Sequence, residues 1–449
     1  MRLRQQALDS TDRNMTAVHD ADDTLEDAYY DRVDALSRAT ARRGFDPFVD
    51  IDWDSPENEL AKDDPRWRMD PRTTPLAATD WYAQQSLSRQ IDMGRWITAN
   101  TLKVTSQFEM ALIRGVLHYA GKLPNGSPVF RYLVHELGEE CNHIQMFQEF
   151  VNRTGEDVPG MRRGSRIIAP ILGFLGGYLN ILHFIGVLCG EQPLHHQQTV
   201  QHRGEAGVPP LLHKITYIHL AEEARHISFA DEHLAERIRH AGRFRRACYA
   251  IAFPIFLRWL IGEMLGQPRD FARQFGIPRR VFKGAYWRSE VSRRMLADSA
   301  ADVRRTAEDL GLRTRWSRWL WRLLRIDGPV PRYRSEPDRT SRPVACGDGF
   351  RTVTWARVVA AAMMAGVALT ATPVGLRIIV VAAAGACIWA TYHAFRERRG
   401  GVVGNQPFEW PRLFVWVAVC VVMIPTGGLI GLALVVLMIL ALAEFLLTL

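Results

Sequence analysis

The run His219-Leu220-Ala221-Glu222-Glu223-Ala224-Arg225-His226 limits what this chain can fold into. His219, Glu223 and His226 stand at i, i+4 and i+7, a spacing that stacks them on one face of a helix. Leu212, Ile215, Phe229 and Ala230 share that face, so it reads as a stripe facing a core. Three ionisable side chains do not sit in an apolar stripe unless something neutralises them. A metal would do so.

The same chemistry recurs upstream. Glu140 and His143 form an E-x-x-H. Glu109 is the lone acid in the largely apolar run 101–120, and Glu191 is the lone acid between Arg166 and His202. Four helical segments thus supply a Glu, an E-x-x-H, a Glu and a second E-x-x-H. That is the pattern of carboxylate-bridged dinuclear sites in four-helix bundles. Carboxylates bridge and neutralise two hard cations, and imidazoles complete the coordination. One E-x-x-H alone is weak evidence. The competing reading is ordinary surface charge with satisfied core histidines, and it leaves unexplained why each acid lies on the apolar side of its own segment. The expected fold is all-α: a four-helix bundle with flanking helices, followed by C-terminal transmembrane hairpins.

This set resembles the AurF-like family, the p-aminobenzoate N-oxygenases, over about residues 75–310. The resemblance implies a ferritin-like bundle, two iron ions held by four Glu and three His, and oxidation of arylamines by dioxygen. It assigns the lone first-helix Glu to Glu109, the first E-x-x-H to Glu140 and His143, and the third-helix Glu to Glu191. The H-x-x-x-E-x-x-H becomes His219, Glu223 and His226. His219 narrows the choice, since the set without it fits any ferritin-like diiron protein. Donor type does not separate iron from manganese. The expected partners are dioxygen, a small organic substrate and an external electron donor, with N-oxygenation as the expected reaction. A diiron hydroxylase or desaturase acting on a lipid-like substrate is the alternative, and a non-catalytic ferritin-like membrane protein is the third reading.

Composition bears on partners. The net charge is +8. The excess is almost wholly Arg, with five Lys against 51 Arg, and no basic recognition helix, zinc finger or RNP-like strand accompanies it. Nucleic acid is therefore not an expected partner. The six Cys form no C-x-x-C or regular framework, which points to a reduced, cytosolic compartment. Residues 1–30 carry no apolar core, so no signal peptide is expected.

The expected organisation is a polar extension over 1–75, the metal domain over 76–310, a basic helix and linker over 311–350, and a membrane region over 351–449. In the extension, residues 23–42 read as a surface helix, and Trp53 and Trp67 argue for packing on the bundle. The tail divides into two apolar halves of about forty residues, each broken near its middle, so four spans of roughly 20 residues are expected. The connector from Arg396 to Arg412 is basic, and the positive-inside rule puts it, the metal domain and the C-terminus in the cytoplasm. A homodimer is the default expectation.

Finer expectations follow from helical spacing. Residues 165–198 read as one glycine-rich helix whose small residues allow close approach or leave a pocket wall. Asn180 and His183 read first as core polar groups bonded to their neighbours, with lining of a substrate cavity as the alternative. Glu136 shares the inward face with Glu140 and His143 and is a candidate to orient a ligand histidine, although a place near the helix's solvent edge or a pairing with an Arg is the favoured reading. Glu139 and Glu222 point about 100° away and read as outer-shell or surface groups. His202 reads as a loop residue. The apolar stretch 247–265 contains Pro254, Arg258 and Glu263, so it reads as a buried flanking helix rather than a membrane span. The Trp-rich run 316–325 reads equally as an interfacial helix or a bundle cap.

Overall fold

The computed structural model describes residues 24–203 and 207–333. The chain divides into two units, 1–344 and 345–449. The four expected spans lie outside the described residues.

Every regular element among the described residues is helical. Helix α1 covers 24–42. It is followed by a short α2 (Asp80–Ala83), then α3 (Leu87–Ala120), α4 (Pro128–Thr154), α5 (Arg163–Gly176), α6 (Asn180–His202), α7 (Pro210–Arg239) and α8 (Arg243–Met264). Five shorter helices complete the unit: α9 (Arg269–Gln274), α10 (Arg279–Arg288), α11 (Glu290–Ser299), α12 (Ala301–Asp309) and α13 (Arg318–Leu323).

Local chemistry sets the ends of the long helices. The Ser86 hydroxyl accepts from Arg89 N and starts α3. Pro128 and Pro210 occupy first-turn positions of α4 and α7, where a missing N–H costs nothing. Gly155, at φ 69°, ends α4 in the left-handed conformation that glycine adopts without strain.

Helix α3 packs on α4, α4 on α7, α7 on α6 and α6 on α3, which closes a ring of four. Helices α5 and α8 flank it, against α3 and α6 respectively. One apolar cluster fills one end of the ring, with Tyr132, Phe184, Phe229 and Leu257 among its members. A second fills the other end and includes Trp96, Phe147, Phe150 and Leu212. Full burial of such a side chain contributes roughly 1.5–3 kcal/mol. The carboxylates and imidazoles lie between the two.

The extension is part of this core. Trp53 and Trp67 are buried, Trp67 edge-on to Phe150. Tyr29 and Val33 of α1 are also buried, so α1 packs on the bundle more closely than a surface helix would.

The expected single helix over 165–198 is two. It breaks at Gly177–Leu179, where Leu179 leaves helical geometry at φ −116° and ψ 54°. His202 closes α6 rather than lying in a loop, and its ring stacks on His213 at 3.9 Å. The small residues do permit close approach. A Cβ at Gly173 would stand 2.3 Å from Ala111 O, and one at Gly190 would meet the Phe108 ring at 2.2 Å.

Helix α8 is buried along the ring. The stretch Arg243–Gln274 is apolar and long enough to cross a membrane, but 72% of its most apolar window is inside the fold. Arg258 and Glu263 do not pair with each other; Glu263 accepts from Arg162 N and Nη1, both at 3.1 Å. In the Trp-rich run, Leu320 and Trp321 are buried as a cap, while Trp316 and Trp319 face outward.

Candidate metal centre

The seven sequence-selected residues converge. Glu109 comes from α3, Glu140 and His143 from α4, Glu191 from α6, and His219, Glu223 and His226 from α7. None is more than 1% exposed. Glu109, His143 and His219 offer ligand atoms within 4.8 Å of one another; so do Glu140, His143 and Glu223, and likewise Glu191, His219 and Glu223. Glu223 is central: its Oε1 lies 3.3 Å from His219 Nε2, 3.4 Å from His226 Nδ1 and 3.6 Å from His143 Nδ1.

Each histidine is held by its far nitrogen. Nε2–H of His143 donates to Glu222 Oε2 at 2.9 Å, and Nε2–H of His226 donates to Glu139 Oε2 at 2.8 Å. Nδ1–H of His219 donates to Gln198 Oε1 at 2.7 Å. Those contacts put a proton on the outer nitrogen of each ring and make Nδ1 of His143, Nδ1 of His226 and Nε2 of His219 the atoms available to a metal. Metal-ligating histidines are oriented this way by outer partners. Glu222 is itself anchored by Phe45 N at 3.2 Å, and Glu139 by the Arg225 guanidinium.

Glu139 and Glu222 are thus buried outer-shell groups, not surface ones, and they do what spacing had suggested for Glu136. Glu136 is buried rather than at a solvent edge; it lies one turn from Tyr132, and burial pushes its carboxyl up to about 8. Gln198 was not anticipated, because a neutral amide carries no signal in sequence. His183 and Asn180 do not line the cavity described below, and both bond or pack against neighbours as the favoured reading had it. The His183 ring packs against Gly115 and Gly176, and the Asn180 side chain accepts from Ile181 N.

The donor set fits a pair of divalent cations. Both carboxylate oxygens of Glu109, Glu191 and Glu223, together with Glu140 Oε1, His219 Nε2 and His226 Nδ1, are buried without a hydrogen-bond partner. An ionised group stranded in a dry interior costs several kcal/mol. Two divalent ions carry four positive charges, which balance four carboxylates, and the three imidazoles remain neutral. Without cations, protons must serve instead. Burial and the nearby Glu140 carboxylate push Glu109 well above the usual carboxylate range. Burial and Glu223 do the same to Glu191. Burial opposes charge on His143 and His226, but the surrounding carboxylates outweigh it and raise both well above the usual imidazole value.

A cavity of about 590 Å³ approaches this cluster from the ends of α6 and α7. Its lining is mainly apolar, with Leu102, Leu194, Leu212 and Met264 among it, and also takes in Thr101 of α3, Gln198 of α6 and Thr216 of α7. Gln198 therefore stands between the cavity and His219.

The p-aminobenzoate N-oxygenase AurF family matches this chain over residues 26–311. The chain belongs to the AurF family. The match takes in most of the extension, α1 included, which the residue pattern alone had left outside the resemblance. An uncharacterized protein of Mycobacterium tuberculosis is 45% identical over 327 residues, 73% of this chain and 94% of that protein. One from Mycobacterium bovis is 44% identical over the same lengths. These matches cover nearly all of each relative and leave about a quarter of this AurF-family chain unmatched. No solved structure matches it.

Proposed function

We propose that this protein is a dinuclear iron oxygenase that uses dioxygen and electrons from an external donor to oxidise the nitrogen of a small organic amine. One observation carries the reading: seven buried carboxylate and imidazole side chains converge, six of them with an atom that has no hydrogen-bond partner, while outer partners hold all three imidazoles by their other nitrogens. Membership in an oxygenase family supports the reaction class. Iron is taken from the family, because the oxygen and nitrogen donors also suit manganese.

In this reading Glu140, His143, Glu191, His219 and Glu223 would help to hold the two ions, Glu223 belonging to both the Glu140–His143 and the Glu191–His219 groups. A reduced iron pair supplies the electrons that activate dioxygen. The chain's own part is to fix the donors, hold neutral imidazoles and keep bulk water out. The cavity beside Gln198 and Thr216 holds the substrate. Its lining mixes apolar side chains (Leu102, Leu194, Leu212, Met264) with Thr101, Thr216 and Gln198, which suits a small molecule with an apolar body and a polar group; membership in the N-oxygenase family is what favours amine oxidation over lipid hydroxylation or desaturation. The apolar tail over 351–449 anchors the domain to the cytoplasmic face of a membrane, and resistance of the full chain to alkaline extraction from membranes tests that attachment.

The reaction is tested by supplying the iron-loaded, chemically reduced protein with oxygen and a panel of aryl- and alkylamines. Expected products are hydroxylamines or their further oxidation products, formed with matching oxygen uptake. Oxygen uptake that yields only C–H hydroxylation or desaturation of lipids would overturn the assignment.

A further inference from the structure

The face that carries the ligands does not end with them. On α7, His233 continues the seven-residue step from His219 through His226. On α4, Tyr132 lies two turns before Glu140. Both are fully buried. Tyr132 stacks on Phe229 at 4.3 Å between ring centres, and Phe229 stacks on His233 at 5.4 Å. His233 Nδ1 lies 2.7 Å from the hydroxyl of Tyr29 on α1, 204 residues away in sequence. The Tyr29 ring is 5.2 Å from that of its half-buried neighbour Tyr30. A file of rings thus runs from Tyr132, two turns from Glu140 on α4, to the outer helix. His233 is seven residues from His226, about 10 Å along the helix.

We infer that Tyr29 and His233 form a proton-coupled one-electron relay that discharges the metal centre when an oxidising equivalent is stranded there. The inference rests on the reading of that centre as a dinuclear iron oxygenase. Tyr29 would give one electron to the oxidised centre held by the seven residues, lowering its oxidation level by one. The O–H bond of Tyr29 breaks as the electron leaves, and its proton bonds to Nδ1 of His233, leaving a neutral phenoxyl beside an imidazolium. A soluble thiol or ascorbate then returns an electron by way of Tyr30, and the proton goes back to the phenoxyl oxygen. A phenol yields an electron only to a strong oxidant, so the relay is silent toward the resting centre and toward ordinary reductants.

The placement meets the requirements of such a step. Among the described residues, Nδ1 of His233 is the acceptor within hydrogen-bond distance of the Tyr29 phenol, and the far nitrogen of that ring, Nε2, has no partner. A buried phenol with nowhere to send its proton would have to form a charged radical in a dry interior, at high cost. Burial holds Tyr29 protonated and His233 neutral, so the pair rests in the state from which the transfer starts.

The test is freeze-quench electron paramagnetic resonance on full-length protein, loaded with iron, reduced, and mixed with oxygen in the absence of amine. The expected result is an organic radical whose line shape narrows when tyrosine is ring-deuterated. It should be lost in Tyr29→Phe, whose iron content and rate of iron oxidation are unchanged. His233→Gln, which keeps a hydrogen-bond acceptor but no base, should lose the signal as well. A plain structural tie between α1 and α7 predicts no radical in any of these samples. Iron that oxidises normally without a Tyr29-dependent radical overturns the relay and leaves the oxygenase reading standing. If iron does not load, the oxygenase reading fails. Flash-generated ruthenium(III) tris-bipyridine acting on the metal-free protein then decides whether the pair is an oxidisable unit. A phenoxyl lost in Tyr29→Phe supports the pairing, and a phenoxyl indifferent to Tyr29 and His233 overturns it.

Discussion

The side-chain oxygen of Gln198 lies 2.7 Å from Nδ1 of His219, and this contact decides which nitrogen of the imidazole faces Glu109 and Glu223. The amide does for His219 what the carboxylates of Glu222 and Glu139 do for His143 and His226. It differs in being neutral, so the proton stays on Nδ1 and the ligand nitrogen is less basic.

Gln198→Ala should therefore leave the fold intact and weaken metal binding. Loss of an outer partner of a ligand histidine lowers affinity about 10- to 100-fold. Competition with a chelating dye measures the change. Gln198→Glu should restore most of the affinity, because a carboxylate accepts the same proton. Unchanged affinity in Gln198→Ala would separate His219 from the metal.

Metal loading should release protons. Glu109 and Glu191 hold theirs in the metal-free state because burial and neighbouring carboxylates raise them, and His143 and His226 are held charged by the carboxylates around them. All four must give up a proton to become ligands. Because the metal-free form binds more protons, affinity rises with pH and is lost as pH falls. Titration of weakly buffered protein should register a release approaching one proton from each of these four residues for every pair of metal ions. Loading without proton release would contradict this electrostatic account.

Gly94 is fixed by contact. A Cβ there would stand 1.7 Å from Trp67 O, backbone that cannot give way cheaply. Gly94→Ala should destabilise the domain by roughly 1–3 kcal/mol as the wrap is pushed off α3. Urea unfolding followed by Trp fluorescence measures it. Gly186, which meets nothing within 4 Å, is the control, and Ala there should be tolerated.

Arg304 ties α12 to the segment after α13. It is fully buried and donates to Ala297 O at 2.7 Å, Ile326 O at 2.9 Å and Pro329 O at 3.1 Å. Arg304→Met leaves those carbonyls without their donor, at a cost of about 1–3 kcal/mol for each that stays buried. A lower unfolding midpoint with metal affinity unchanged is the expected outcome, measured by calorimetry and dye competition.

The convergence of the seven residues was legible because a metal would impose residue type and spacing together. No other arrangement requires Glu and His at i, i+4 and i+7 on an apolar stripe and a solitary buried acid on each of two further helices. The outer shell was only partly legible. Spacing pointed to Glu136, but Glu139 and Glu222 took that role because a helix leans into the bundle and presents more than one row of side chains to its neighbours. Gln198 and Arg304 were illegible, since their partners are distant in sequence and neither residue type announces burial. The break between α5 and α6 was visible only as an excess of glycine. The path from Tyr29 to His233 spans 204 residues, and of its parts only the seven-residue histidine step leaves a trace in the sequence.

The central claim is that two cations share the carboxylates around Glu223. The most direct measurement is metal content by mass spectrometry of iron-loaded, desalted protein, wild type beside Glu223→Ala. The account predicts two irons per chain in the wild type and loss of one or both in the variant. A wild type that holds no iron, or a variant that keeps two at full occupancy, would contradict it.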